Sequence, residues 1–162
     1  MIHIKDTSTK KQKVILGADH AGFKLKEKLK KYFKKENILY EDLGASSEKY
    51  VDYPDYAFKV AQKVSKNKDV KGILICGTGT GMVIAANKVK GVRAVAAYDA
   101  YSAKMSRLDN NANILGLRGR NFPYKKIENI VSIWLKTPFS KEKRHKKRIS
   151  KIAKYERWTI IL

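Results

Sequence analysis

Five short apolar runs punctuate the chain, and each is followed by a segment whose apolar residues fall at helical spacing. The runs are "KVILGAD" (13–19), "ILYEDLG" (38–44), "KGILICG" (71–77), "VRAVAAYD" (92–99) and "NILGLRG" (113–119). Runs this short and this apolar read as strands buried on both faces. Between them, Leu25, Leu29, Tyr32 and Phe33 share one helical face, and Tyr56, Ala57, Val60, Ala61 and Val64 share another. "GMVIAANKV" and "AYSAKMSRL" read as a third and fourth helix, and two more are predicted near 124–135 and 140–157. Strands alternating with helices require right-handed crossovers, hence a parallel sheet covered on both faces. The pattern predicts one doubly wound α/β domain with a five-stranded parallel sheet.

No repeat, low-complexity tract or interdomain linker interrupts this pattern, and 162 residues suit a single packed domain. Residues 1–12 read as a polar extension, and residues 13–162 as the domain, including a basic C-terminal helix. The lysine-rich start has no apolar core, so it does not read as a signal peptide, and no run approaches the roughly 20 residues that span a bilayer. A single cysteine excludes an internal disulfide framework and a cysteine zinc cluster, and it fits a reducing cytoplasm. The chain is therefore expected to be soluble and cytoplasmic. A formal net charge of +21 favours anionic partners: nucleic acid, membrane surfaces or phosphorylated metabolites. Charge alone does not choose among them.

Ligands of open parallel sheets bind at the carboxyl ends of the strands, beside the point where strand order reverses. The loops after the first and third strands are "ADHAG" and "CGTGTG". Gly77, Thr78, Gly79, Thr80 and Gly81 would bring backbone N–H groups to the start of a helix, a natural anion site. Cys76 would share that field, which favours the thiolate over the thiol. A buried, inert cysteine is the plain alternative. A dinucleotide cradle is a second, since Asp99 lies 22 residues beyond Gly77, but the glycine spacing is G-x-G-x-G and follows the third strand, not the first. Asp19 could hold a sugar hydroxyl or cap a helix, and His20 could donate to a phosphate or bond the backbone. Arg144 and Arg148 lie one helical turn apart, with Ile149 and Ile152 expected to face inward, so the pair could clamp a phosphate or belong to a nucleic-acid patch. Asp109, Asn110, Asn111 and Asn113 form a turn-like cluster before a strand that ends at Arg118 and Arg120.

Taken together, "GADHAGFKLKE", "VDYPDYA", "GILICGTGTGM", "SAKMSR", "NNANIL" and "RH..RI" resemble the type B ribose-5-phosphate isomerases, relatives of the galactose-6-phosphate isomerases. The resemblance runs in family order from about residue 13 to residue 152. It implies a three-layer α/β/α, Rossmann-like fold, a homodimer or dimer of dimers with sites built across the interface, and no metal or organic cofactor. It further implies that Cys76 is the base of an aldose–ketose isomerisation, because Met82 stands where some members place a glutamate base. The Gly77–Gly81 loop would stabilise the enediolate with help from Thr78. Asp19 and His20 would bind sugar and phosphate, Asn110 the reacting end, and Arg120, Arg144 and Arg148 the phosphate. The partner is then a phosphorylated sugar, with neither membrane nor nucleic acid implied.

One position departs from the pattern. The ribose-type members carry a ring-opening histidine where this chain has Asp109. An unperturbed aspartic acid near pKa ~3.9 is protonated in about one molecule in a thousand at neutral pH, against roughly a quarter for histidine near ~6.5. Ribose 5-phosphate is the expected substrate. A hexose 6-phosphate, or phosphosugar or nucleotide binding without turnover, is the alternative.

Overall fold

The computed structural model describes residues 13–158; the polar extension of residues 1–12 lies outside them. The elements run β1 (Lys13–Ala18), α1 (Phe23–Lys35), β2 (Leu39–Asp42), α2 (Tyr53–Lys66), β3 (Val70–Cys76), α3 (Thr80–Ala86), β4 (Ala94–Ala96), α4 (Ala100–Leu108), β5 (Ile114–Arg118), α5 (Tyr124–Lys136) and α6 (Lys143–Trp158). The sheet has five strands in the order β2-β1-β3-β5-β4, and every pairing is parallel. The chain steps outward from β1 to β2, crosses back to β3, and then fills the other side. Strand order therefore reverses between β1 and β3, which are direct neighbours with Ala18 level with Ile75. The first and third loops therefore leave neighbouring strands at the same end of the sheet.

Side-chain alternation along the strands makes the layers. Val14, Leu16, Ala18, Ile73, Ile75, Leu115 and Leu117 face α1, α4 and α5. Ile15, Leu74, Cys76 and Ile114 face α2 and α3 on the other side. All seven residues of β3 are buried, as a central strand between two helical layers requires. The three-layer α/β/α arrangement is present.

Three local readings need correction. The third helix stops at Ala86, short of the predicted reach to Val89. There the side chain of Asn87 turns back, donating to the carbonyl of Ala94 at 2.9 Å and accepting its N–H at 2.8 Å. Strand β4 keeps only three residues of its longer apolar run. On α6, Ile152 does not face inward: it is 49% exposed, and His145 is the residue that is buried. The cause is that α6 lies on no sheet face. It is held at its start by His145, beside the carbonyl of Leu108 and the hydroxyl of Ser140, and near its end by Glu156, which accepts the N–H of Gly91 at 3.1 Å.

A charge pair that periodicity does not reveal ties α1 to the edge of the sheet. Lys26 lies on the apolar face of α1 and is buried, with its Nζ 2.6 Å from Asp42 Oδ2 at the end of β2. Lys30 adds a second cation at 3.1 Å, and the N–H of Gly44 donates to Asp42 Oδ1 at 2.9 Å. Burial pushes the Asp42 carboxyl up, but Lys26, the Gly44 N–H and Lys30 together hold it below its ordinary value of 3.8. The stabilisation from this depressed carboxyl is present above pH 3.8 and is lost as pH falls through the lower folded value. Lys26→Met leaves Asp42 without its closest cation and is expected to cost about 3 kcal/mol at pH 7. Urea unfolding of both proteins from pH 7 to pH 2 should show that deficit narrowing only in the acid limb.

Candidate functional site

Three loops meet above the carboxyl ends of β1, β3 and β5. Their approach depends on two glycines that touch. A Cβ on Gly22, before α1, would sit 2.3 Å from the carbonyl oxygen of Ile75. A Cβ on Gly119, after β5, would lie 2.9 Å from the Ala21 oxygen, 3.0 Å from the Cys76 oxygen and 3.1 Å from the Gly22 Cα. Hydrogen bonds lock the contact: Gly119 N–H donates to the Cys76 carbonyl at 2.8 Å, and Arg120 N–H to that of Gly77 at 3.2 Å.

Cys76 is the last residue of β3, is buried, and points to the α2–α3 side. The N–H of Gly79 donates to its sulfur at 3.1 Å. That geometry needs Gly79 at φ +86°, in the left-handed region, where a Cβ would in addition press on the backbone of Leu117 at 3.0 Å. The loop is braced from β4: the Tyr98 hydroxyl donates to the Thr78 carbonyl at 3.1 Å and lies 3.1 Å from Thr80 Oγ1. Thr78 Oγ1 in turn accepts the Thr80 N–H at 3.3 Å. Gly81 lies against the ring of Tyr53, whose Cζ would be 2.9 Å from a Cβ there.

Asp19 is 5% exposed, and its Oδ1 accepts the N–H of Gly22 at 2.9 Å. His20 stacks near Tyr50, ring centroids 4.9 Å apart, with Nδ1 3.2 Å from the carbonyl oxygen of Val51. The side chain of Arg120 comes beside Gly77, its Cδ 3.7 Å and its Nη1 3.8 Å from the place of a Cβ there. Asp19, His20, Cys76, Gly77, Thr78, Gly79, Thr80, Gly81 and Arg120 are thus gathered at one end of the sheet.

The other four candidates are not among them. Asp109 and Asn110 follow α4 and precede β5, so they lie at the amino end of the sheet. Ile114 is level with Gly72 and Arg118 with Cys76, a separation of about 13 Å along the strand. Asp109 Oδ1 is 3.4 Å from Nδ1 of His145 on α6, and Arg144 and Arg148 lie exposed on that helix. Arg144 Nε is 2.8 Å from Glu142 Oε2. Asn110 lines a groove of about 710 Å³ between α6 and the β4 edge. The candidate residues thus fall into two groups at opposite ends of the sheet.

Sequence reasoning missed Gly22, Gly119, Tyr98 and His145. A glycine just before a helix and another just after a strand are visible signals of close approach. Nothing in the sequence points Tyr98 at the glycine loop. Among the described residues, no group of three or more His, Cys, Asp or Glu side chains could hold a metal ion, and no helix is long and apolar enough to cross a membrane.

Comparison with known proteins agrees with this geometry. The chain is 38% identical over 145 residues to ribose-5-phosphate isomerase B of Escherichia coli, covering 90% of this chain and 97% of that one. It is 37% identical over 147 residues to D-erythrulose-4-phosphate isomerase 2 of Mycolicibacterium smegmatis, covering 89% and 97%. The crystal structure of ribose-5-phosphate isomerase B from Mycoplasma genitalium with bound ribulose 5-phosphate superposes with a TM-score of 0.85 at 41% identity, covering 90% of this chain and 96% of that one. Residues 14–152 match the family described as Ribose/Galactose Isomerase. With its parallel sheet, its glycine loop behind Cys76 and this span of similarity, the chain belongs to the ribose/galactose isomerase family.

Proposed function

We propose that this chain interconverts ribose 5-phosphate and ribulose 5-phosphate, the finer form of the aldose–ketose isomerisation that its family membership carries. The observation that carries the cysteine mechanism is the pairing of Cys76 sulfur with a loop N–H at the strand-order reversal. Met82, at the other position where the family can place a base, is packed into the core with 0% exposure. The Cys76 thiolate takes the proton from C2 of the open-chain aldose. The C–H electrons form the C1–C2 double bond, and the carbonyl electrons move onto O1, giving an enediolate. Transfer of the O2 proton to O1, return of the carbon-bound proton to C1 and collapse of O2 to a carbonyl then give the ketose. An oxyanion forming beside a base needs donors already in place, and the N–H groups of Gly77, Thr78 and Gly81 would provide them, those of Gly79 and Thr80 being engaged within the loop. Asp19 and His20 orient hydroxyl and phosphate groups, and Arg120 adds positive charge beside the loop.

Asn110, Arg144, Arg148 and Asp109 enter this site from a second copy of the chain. Their separation from Cys76 within one chain supports that reading, since a two-fold dimer presents the amino-end group of one copy to the carboxyl-end group of the other. The reducing cytoplasm suits a catalytic thiol. Asp109 favours a second reading of the substrate. A phosphorylated tetrose has its O4 esterified and cannot close a furanose, so it needs no ring-opening acid. The relative named for D-erythrulose 4-phosphate makes that class the alternative to ribose 5-phosphate.

Cys76→Ala is expected to lower turnover by roughly 10²- to 10⁴-fold while leaving the affinity for substrate within a few fold. Retained turnover, followed together with solvent proton exchange in heavy water by NMR, would remove the base assignment. Arg148→Ala should raise KM for ribose 5-phosphate by roughly tenfold or more, through loss of a charge-assisted pair with phosphate. Unfolding and refolding the two variants together should then restore about a quarter of wild-type activity, because each mixed dimer retains one intact site. No recovery would mean that Cys76 and Arg148 act within one chain. Asp109→His is expected to raise turnover of cyclic ribose 5-phosphate more than the initial proton exchange of ribulose 5-phosphate, which cannot cyclise. Equal losses in both assays would assign Asp109 a fitted role of its own.

A further inference from the structure

Tyr98 has no part in the chemistry above, yet its hydroxyl meets the glycine loop at its most constrained point. It donates to the carbonyl oxygen of Thr78 at 3.1 Å. That carbonyl and the N–H of Gly79 are the two ends of one peptide unit, and the N–H donates to the sulfur of Cys76 at 3.1 Å. A single planar group therefore has Tyr98 at one end and Cys76 at the other. The hydroxyl also lies 3.1 Å from Thr80 Oγ1. A phenol has one proton and a carbonyl only accepts, so with that proton on Thr78 the Thr80 hydroxyl is the donor to Tyr98. The bonds form a chain, from Thr80 to Tyr98, through the Thr78–Gly79 peptide, to Cys76.

The loop's own sequence does not fix this peptide. Gly79 sits at φ +86°, and a glycine takes either sign of φ at little steric cost. A flip of the Thr78–Gly79 plane would turn the Thr78 carbonyl toward the sulfur, setting the negative end of a dipole against a developing thiolate. Tyr98 opposes that flip from a firm base. Ala97 before it is buried, with its N–H 3.4 Å from the Gly116 carbonyl oxygen. Asp99 after it caps α4, accepting the N–H of Ser102 at 2.7 Å. The bond also polarises the peptide. Electron density drawn to the Thr78 oxygen makes the Gly79 N–H a better donor, the cooperative gain of linked hydrogen bonds.

We propose that Tyr98 is a positioning residue for Cys76, holding the Thr78–Gly79 peptide in the orientation, and with the polarisation, that the sulfur requires. It acts through one peptide unit and not on the substrate itself. Its effect on turnover rests on the reading of Cys76 as the base; the hydrogen-bond relay does not, and it can be followed without turnover.

NMR of the Gly79 amide, together with steady-state kinetics on the full-length chain, tests it. Tyr98→Phe keeps the ring and removes only the hydroxyl, at a position 43% exposed. The Gly79 amide proton is expected to move toward its unbonded shift and to exchange faster with heavy water. Cys76→Ala, which removes the acceptor, should move it the same way. The two substitutions combined should move it by less than the sum of their separate effects, because both act on one bond. In turnover, Tyr98→Phe is expected to lower kcat roughly three- to tenfold while KM for ribose 5-phosphate stays within about twofold, as loss of one neutral hydrogen bond predicts. A Gly79 amide that Tyr98→Phe leaves in place, or strictly additive shifts, would overturn the proposal. So would an unchanged kcat in Tyr98→Phe where Cys76→Ala loses turnover. If the amide responds but Cys76→Ala keeps its turnover, the relay stands and the assignment of the base is what fails.

Discussion

The candidate site rests on a steric contact between two residues without side chains. Gly22 lies against the Ile75 carbonyl and Gly119 against Gly22, and only because both are bare can the β1, β3 and β5 loops close on one another. The backbone of Cys76 is held in that contact by the Gly119 N–H. The sulfur, the glycine loop, Asp19 and Arg120 inherit their positions from it. A methyl group there would have to move backbone, not a flexible side chain, so the nearby catalytic candidates would be displaced together.

Much of this was legible in the sequence because two periodicities carry it. The five apolar runs specify buried strands, and the order in which helices follow them specifies parallel pairing. Adjacency of β1 and β3 then gathers Asp19, His20 and Cys76 without further information. The separation of the candidate residues was legible too, though only in hindsight. A crossover helix returns the chain from the carboxyl end of one strand to the amino end of the next, so Asp109 and Asn110, between α4 and β5, had to lie far from Cys76. What periodicity could not supply was docking. Ile152 sits at helical spacing for an inward face, yet α6 has no sheet beneath it, and His145 fills the role through polar contacts that leave no apolar pattern.

The lysine excess divides into distinct physical situations. Many lysines are solvated, but Lys26 is buried against Asp42, and Lys71 is buried beside two arginines. The first pair is a cation with a matched carboxylate and ties α1 to the sheet. The second is a cation among like charges, and its lowered proton affinity is the cost of that placement. Net charge alone treats the two alike; only the fold separates a lysine paired with a carboxylate from one buried beside arginines and bonded to the Leu135 carbonyl.

Asn87 has a consequence for assembly. Its carboxamide occupies both the N–H and the carbonyl of Ala94 on the outer strand β4. That side chain imitates the next strand of the sheet and caps its margin, as edge strands require if chains are not to join ribbon to ribbon. At Ala94 the outer strand therefore has neither its N–H nor its carbonyl left to pair with a strand of another chain.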